Sequence, residues 1–231
     1  MSTSYRSLED YLVNSASIEH TTVVLLDHRV PLVTRVIEIV VASLGLIIFS
    51  PVMLLTALVI KLGTPGPALF VQDRVGLGLK TFRFVKFRTL YQCAKKRFPD
   101  LYAYRYSEEE LKTLRFKVEN DPRVSPQGKW LRRTTLDELP NFWNVLTGDM
   151  ALVGPRPEIP EMLTYYTGNM LLKFSVRPGI TGFAQISGRG RLGFYETVEY
   201  DLEYVRKRSV MVDLKIIFKT LYMIIRRDGA F

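Results

Sequence analysis

The chain has 231 residues, 47% of them apolar, which suits one substantial domain plus an appendage and is ample for a buried core. Lysine and arginine total 32 against 23 aspartate and glutamate, and the formal charge of +9 favours an anionic partner: a phosphate-rich substrate, an acidic lipid surface or nucleic acid. A single cysteine, Cys93, excludes an internal disulfide framework. With only His20 and His28 beside it, structural zinc is excluded too, so the metal to expect is a hard cation on carboxylates and phosphates.

Residues 1–30 are mixed and polar, unlike a secretory signal, and read as an N-terminal arm. From Ile39 to Ile60 run 22 residues without a charge, bounded by Arg29, Arg35 and Glu38 before and by Lys61 after. A straight helix of that length covers roughly 33 Å, enough for a hydrocarbon core of about 30 Å, so an ordinary membrane span is one reading. Ser50-Pro51 opens a second. Pro51 has no N–H, so the Ile47 carbonyl loses its helical partner and the helix kinks near its middle. Each leg is then roughly 15 to 18 Å, too short to cross alone, and the two can enter and leave through one leaflet. Six Lys/Arg from Lys61 to Arg88 place the downstream side in the cytoplasm under either topology.

After Lys61 the composition turns globular. Gly63-Thr64-Pro65-Gly66-Pro67 is a turn cluster, and the β-prone runs Ala68–Gln72 and Thr81–Phe87, separated by the glycine-bearing stretch Val75–Lys80, predict a hairpin. Ser107 and Glu110 have capping-box spacing and predict the start of a surface helix. Trp130–Leu146 reads as helical in large part. Met211–Arg227 predicts an amphipathic helix with Lys215, Lys219 and Arg226 on one face, opposite Leu214, Phe218, Leu221 and Ile225. Such a helix suits an anionic membrane surface or, equally, packing on the domain core.

The sharpest local feature is Arg132-Arg133-Thr134-Thr135-Leu136-Asp137-Glu138-Leu139-Pro140. Thr135 and Glu138 also stand at capping-box spacing, which would put Asp137 and Glu138 in a first helical turn near free N–H groups. Adjacent carboxylates behind two arginines can serve as nucleophile and as metal or proton partner, although acidic residues at helix starts are commonplace. Arginines on proline-stiffened loops recur in Gly154-Pro155-Arg156-Pro157 and Arg177-Pro178-Gly179, and Lys86-Phe87-Arg88 ends the second predicted strand. Guanidinium forks match phosphate oxygens, so this set suggests a pocket for a phosphorylated substrate and a divalent cation.

These blocks, in this order, resemble the bacterial sugar transferases, the monotopic phosphoglycosyl transferases. The likeness runs from about Arg35 to Arg227 and includes Ser50-Pro51, Gly66-Pro67, Lys86-Phe87-Arg88-Thr89, Asn120-Asp121-Pro122-Arg123, Leu136-Asp137-Glu138-Leu139-Pro140, Gly154-Pro155-Arg156-Pro157 and Arg177-Pro178-Gly179-Ile180-Thr181-Gly182. Asn141, Ala151 and Leu90 depart from the family's usual residues without removing a charged position. The resemblance implies a catalytic dyad, Asp137 and Glu138, with Asp137 attacking the sugar-linked phosphate of a UDP-sugar. UMP would leave, and the phosphosugar would pass from the aspartyl intermediate to polyprenyl (undecaprenyl) phosphate. It further implies Mg²⁺ at Asp137 and Glu138, and Arg132, Arg156 and Arg177 on phosphate oxygens, with Lys86 and Arg88 as site-lining cations. A re-entrant helix turning at Ser50-Pro51 is implied too, with both ends cytoplasmic at the bacterial inner membrane.

The expected architecture is α/β (α+β), mainly helical with a small β-hairpin. Its parts are an arm over 1–30, a re-entrant membrane helix over 31–61, and a cytosolic catalytic domain over 62–231 that ends in the amphipathic helix. Membrane lipid is an expected partner, and a homodimer is compatible with the chain. Nucleic acid is not expected, because the long apolar segment has no place in such a binder. The rival reading from another class is a non-enzymatic basic membrane adaptor that binds anionic lipid. Lipid electrostatics needs cations but no particular acidic pair, so Asp137-Glu138 favours the enzyme.

Overall fold

The structure, a computed structural model, describes residues 30–115, 120–188 and 191–226. Of the expected arm, all but Val30 lies outside the described residues, as does Arg227 at the other end.

The first helix, α1 (Leu32–Gly63), is 32 residues long, and by length and composition it could cross a membrane. Arg35, Glu38, Ala42, Gly45, Phe49, Met53, Thr56 and Ile60 recur at three- and four-residue spacing, so they share one face. That face lies on the rest of the protein. Ala42, Thr56 and Ile60 are buried, and the Phe49 ring stacks on Phe142 at 6.4 Å. At Gly45 the Phe142 ring comes so near that a Cβ would stand 3.2 Å from it, so a residue without a side chain suits the position. The opposite face, with Val33, Ile37, Val40, Leu44, Ile48, Leu55 and Leu62, is exposed and apolar.

Both ends of α1 are gripped. Arg35 donates to the Val145 and Leu146 carbonyls at 2.7 and 2.8 Å, and Glu38 receives Arg177 at 2.7 Å. Thirty residues further on, Arg88 donates to the Pro65 carbonyl at 2.6 Å and to the Thr64 carbonyl and hydroxyl at 3.1 and 3.0 Å. Helical geometry continues through Ser50 and Pro51. The Ser50 hydroxyl donates at 2.8 Å to the Ile47 carbonyl, the acceptor that Pro51 leaves without an N–H. The break expected here is therefore a patched gap in the hydrogen-bond ladder within one continuous helix.

The predicted hairpin is present as β1 (Leu69–Val75) and β2 (Thr81–Phe87), antiparallel with Leu69 opposite Phe87 and Val75 opposite Thr81. Its first strand runs three residues beyond the expected end at Gln72, because Asp73-Arg74-Val75 keeps the alternation and the turn is tighter than Val75–Lys80. Gly78 takes the left-handed conformation there (φ 63°). Short helices α2 (Ala94–Arg97) and α3 (Glu108–Thr113) follow. The second of these opens on the predicted capping box: Glu110 N–H donates to Ser107 Oγ at 3.3 Å and Ser107 N–H to Glu110 Oε2 at 2.7 Å.

The stretch expected to be largely helical divides into α4 (Pro126–Thr134), a 3₁₀ turn over Leu136–Glu138 and α5 (Asn141–Thr147). A second sheet, for which the sequence gives no expectation, pairs β3 (Ala151–Val153) with β4 (Gly179–Thr181) in parallel. Strands of three residues carry too little alternation to be seen in a sequence. The chain closes with α6 (Phe183–Gly188), α7 (Phe194–Lys207) and α8 (Val210–Arg226), the last matching the predicted amphipathic helix. α8 packs on the domain core through Ile216, buried against Val153, Val176 and Tyr204, while Met211, Leu214, Phe218, Leu221 and Ile225 stay exposed. The architecture is mainly helical with two small sheets, as expected in outline.

Candidate active site

Asp137 and Glu138 sit at the junction of β2, α4 and α5. Three local devices bring these together. Gly128 lets α4 lie directly on the end of β2, where any Cβ would meet the Thr89 carbonyl, and Ser125 N–H donates to that same carbonyl at 3.0 Å. Asn144, buried on α5, accepts from Val85 N–H at 3.0 Å and donates to the Arg83 carbonyl at 2.7 Å, so one amide side chain takes the place of a neighbouring strand. Leu136 then packs on Ile60, Phe87 and Leu131, which fixes the turn that carries the two carboxylates.

The capping box expected at Thr135 and Glu138 is absent. Thr135 adopts a left-handed backbone (φ 58°), ends α4, and donates its hydroxyl to the Thr134 carbonyl at 2.7 Å. A capping residue needs an extended backbone, so the geometry forbids the box. The consequence is chemical: Asp137 and Glu138 point from a single tight turn, and each has different company. Glu138 receives the Arg156 guanidinium at 2.7 Å. Asp137 is buried, and that burial, reinforced by the like charge of Glu138, raises its carboxyl to about 6, against the pull of Lys86, Arg156 and Arg132.

The cations are crowded. Burial and the nearby Arg74 lower the Lys86 ammonium to about 8, and burial lowers the Arg74 guanidinium to about 10. Arg132 donates to Thr89 Oγ1 at 3.2 Å and stands 3.9 Å from Asp121, which is itself gripped by Arg123 at 2.9 Å. Two carboxylates thus face Lys86, Arg132 and Arg156, with Arg74 behind, an excess of positive charge suited to a polyanion.

Of the seven residues expected to line the site, five gather here: Asp137, Glu138, Lys86, Arg132 and Arg156. The other two do not. Arg88 is turned onto the Thr64-Pro65 backbone and Arg177 onto Glu38, so both hold α1 to the domain. Both thus lie apart from the roles expected of them, Arg88 as a site-lining cation and Arg177 on phosphate oxygens. Arg74 was missed as a contributor to the site's charge. The signal was available, since strand alternation puts Arg74 on the same face of the hairpin as Gln72, to which it donates at 3.1 Å. Among the described residues no group of three or more His, Cys, Asp or Glu converges.

The model of one family, bacterial sugar transferase, matches residues 29–227. The chain belongs to that family. It is 42% identical over 199 residues to the UDP-glucose:undecaprenyl-phosphate glucose-1-phosphate transferase of Escherichia coli K12, covering 83% of this chain and 40% of that protein. With the galactosyl transferase CpsE of Streptococcus agalactiae it shares 40% identity over 197 residues, 85% of this chain and 43% of the other. With the exopolysaccharide production protein ExoY of Rhizobium meliloti it shares 33% over 197 residues, which is 85% of this chain and 87% of that one. This chain therefore spans less than half of the first two relatives and nearly the whole of the third.

Proposed function

We propose that this protein moves a sugar 1-phosphate from a UDP-sugar to undecaprenyl phosphate at the cytoplasmic face of a bacterial inner membrane. The observation that carries the reading is Asp137: a buried carboxylate held above its ordinary range, beside a second carboxylate already bound to Arg156, in a ring of cations. An ionised carboxylate with raised basicity, freed of a strong partner, is suited to nucleophilic attack.

In this reading an Asp137 carboxylate oxygen forms a bond to the sugar-linked phosphorus. The bond from that phosphorus to the bridging oxygen breaks, and the oxygen leaves with UMP. An oxygen of the lipid phosphate then attacks the same phosphorus and releases Asp137. Arg156 and Arg132 hold phosphate oxygens through both steps, and Lys86 supports the charge that develops on the leaving group. The residues present fit Mg²⁺ bound in part by substrate: Asp137 and Glu138 would supply the two carboxylates, and phosphate oxygens and water the rest. The cation's contribution would be to offset diphosphate charge. The names of the relatives include glucose and galactose, so the proposal is made for the sugar-phosphate class.

The re-entrant topology belongs to the same proposal. What supports it is that one domain grips α1 from Arg35 to Thr64, a length of roughly 45 Å along the helix. A perpendicular span would drag that domain, with its buried ion pairs, through the hydrocarbon. A helix entering and leaving one leaflet keeps both gripped ends in the cytoplasm and its exposed apolar face in lipid. The exposed face of α8 would rest on the same membrane surface.

Purified protein in lipid, given UDP-sugars, Mg²⁺ and undecaprenyl phosphate, should release UMP, and Asp137→Asn should not. Omitting the lipid acceptor should leave the intact chain heavier by one phosphosugar. No UMP from any UDP-sugar would favour the adaptor reading. For topology, a cysteine at Leu32 in a chain lacking Cys93 should react with an impermeant reagent only after the cells are opened.

A further inference from the structure

Behind the active site lies a second cluster of charge that the reaction as written does not use. Lys173, on the turn Gly168–Ser175, is buried between three elements. Its ammonium stands 3.0 Å from the Tyr166 hydroxyl, 3.2 Å from Asp201 on α7 and 3.5 Å from Glu158. Tyr166 in turn donates to Glu158 at 2.8 Å. The surroundings are apolar: the rings of Phe174 and Phe194 pack edge-on to Tyr166, and Val198 and Met162 close the cluster. Burying three ionised groups is costly, and a hydrophobic trio of similar volume would often hold such a core as well or better. The cluster therefore calls for a role beyond stability.

Its position supplies one. Glu158 is two residues beyond Arg156, and its backbone bridges to Val75, the last residue of β1. Its Oε1 accepts from Ile159 N–H at 3.0 Å while Oε2 faces Tyr166 and Lys173, so the side chain ties the end of the Pro155–Glu158 segment into the core. Arg156 and Lys173 line one small void, about 10 Å³, together with Gly76, Pro157 and Pro178. With two carboxylates to one ammonium, the cluster carries a net negative charge, and the Glu158 charge favours the guanidinium ions of Arg156 and Arg74. The Arg156 guanidinium is thus bound by Glu138, and the segment that carries it is tied to the core by Glu158.

We propose that Glu158, Lys173, Asp201 and Tyr166 form a positioning network that keeps Arg156 aimed at the reacting phosphate when Glu138 is drawn away to a cation or proton. The proposal rests on the transferase reading for its consequence, but the holding of Arg156 is a property of the resting protein. Glu158 is the positioning residue, acting through the Arg156 segment. Lys173 holds Glu158 in place, and Asp201 in turn pairs with Lys173.

Glu158→Gln leaves Lys173 and Asp201 as a balanced pair, so the variant should keep its fold. In protein labelled with ¹⁵N-arginine, the Arg156 signal is assigned by its loss in Arg156→Lys. Rotation of the Arg156 guanidinium should speed up severalfold in Glu158→Gln, because the segment that carries it loses its charged tie to Lys173. UMP release should lose roughly tenfold or more in kcat, with KM for the UDP-sugar moving less than about twofold. The neutral triple variant Glu158→Gln, Lys173→Met, Asp201→Asn should melt near the parent and show the same two losses. Unchanged Arg156 rotation in either folded variant overturns the proposal, as does parental kcat. Failure of both variants to fold would assign the cluster to stability and overturn it too. If the parent protein releases no UMP, the transferase reading falls, and the arginine signal still decides whether the network holds Arg156.

Discussion

The basic side chains of this protein divide into two kinds that look alike in a sequence. Arg35, Arg88, Arg177 and Lys173 end on acceptors that balance them in place: helix-end carbonyls, the turn after α1, Glu38, and the Glu158–Asp201 pair. Lys86, Arg132 and Arg156 crowd around two carboxylates with charge to spare. The first kind builds the molecule, fastening α1 at both ends and closing the core. The second leaves an excess of positive charge for a ligand to neutralise. An arginine on a proline-stiffened loop can be either, and only the partner it finds tells which.

The largest effect expected of any single change lies on the carboxylate that the second kind surrounds. Asp137→Asn should lower UMP release by at least about 10³-fold, since no other side chain replaces the nucleophile. The same variant should raise the melting temperature at pH 7.5 in chelator, because burial and Glu138 both disfavour the Asp137 charge. A melting temperature that falls would mean that the carboxylate is satisfied by structure and belongs with the first kind.

Next in size is a matched pair of substitutions. Arg156→Ala should cost roughly 10²- to 10³-fold in kcat/KM, with little change in melting temperature, because the Arg156–Glu138 pair is partly open to solvent. Arg177→Ala should do the reverse. It leaves Glu38 buried with only Arg35 nearby at 3.3 Å, a loss of about 3 kcal/mol, and activity per folded molecule should be kept. Equal behaviour of the two variants in a combined melting and UMP assay would erase the distinction.

The distinction marks where the sequence was informative. Helix α1, the hairpin, the Ser107 capping box and α8 were legible because each rests on local spacing, and Asp137-Glu138 because family motifs surround it. The grip of Arg88 and Arg177 on α1 was not legible because their partners, Thr64 and Glu38, lie 24 and 139 residues away. The one available clue was the row Arg35, Glu38, Ala42, Gly45 along α1, charged and small where a lipid-facing helix would be large and apolar. Thr135 defeated the capping rule because its left-handed backbone is set by packing on both sides of it.

A smaller effect separates a balanced buried charge from a free one by pH. Burial raises the Asp201 carboxyl to about 6, with Lys173 opposing. The unfolded chain gives up that proton near 4, so between about 4 and 6 the folded protein holds more protons and loses stability as pH rises. Asp201→Asn lacks that term. Parent stability minus variant stability, from chemical unfolding, should therefore fall by up to about 3 kcal/mol as pH rises from 4 to 7. A flat difference would mean that Lys173 cancels the burial in full.

The smallest effect tests the neutral patch in α1. Ser50 Oγ is the acceptor's replacement partner where Pro51 has none to give, at 2.8 Å from the Ile47 carbonyl. In water, removing that hydroxyl would cost little, since solvent would take its place. In hydrocarbon no solvent is available, and the bare carbonyl carries the full desolvation penalty. Ser50→Ala should therefore destabilise the protein in lipid nanodiscs by about 1 to 2 kcal/mol, and Pro51→Ala, which restores an N–H to Ile47, should offset most of that loss in the double variant. An effect below about 0.3 kcal/mol would place the Ile47 carbonyl in water and remove the middle of the helix from the bilayer.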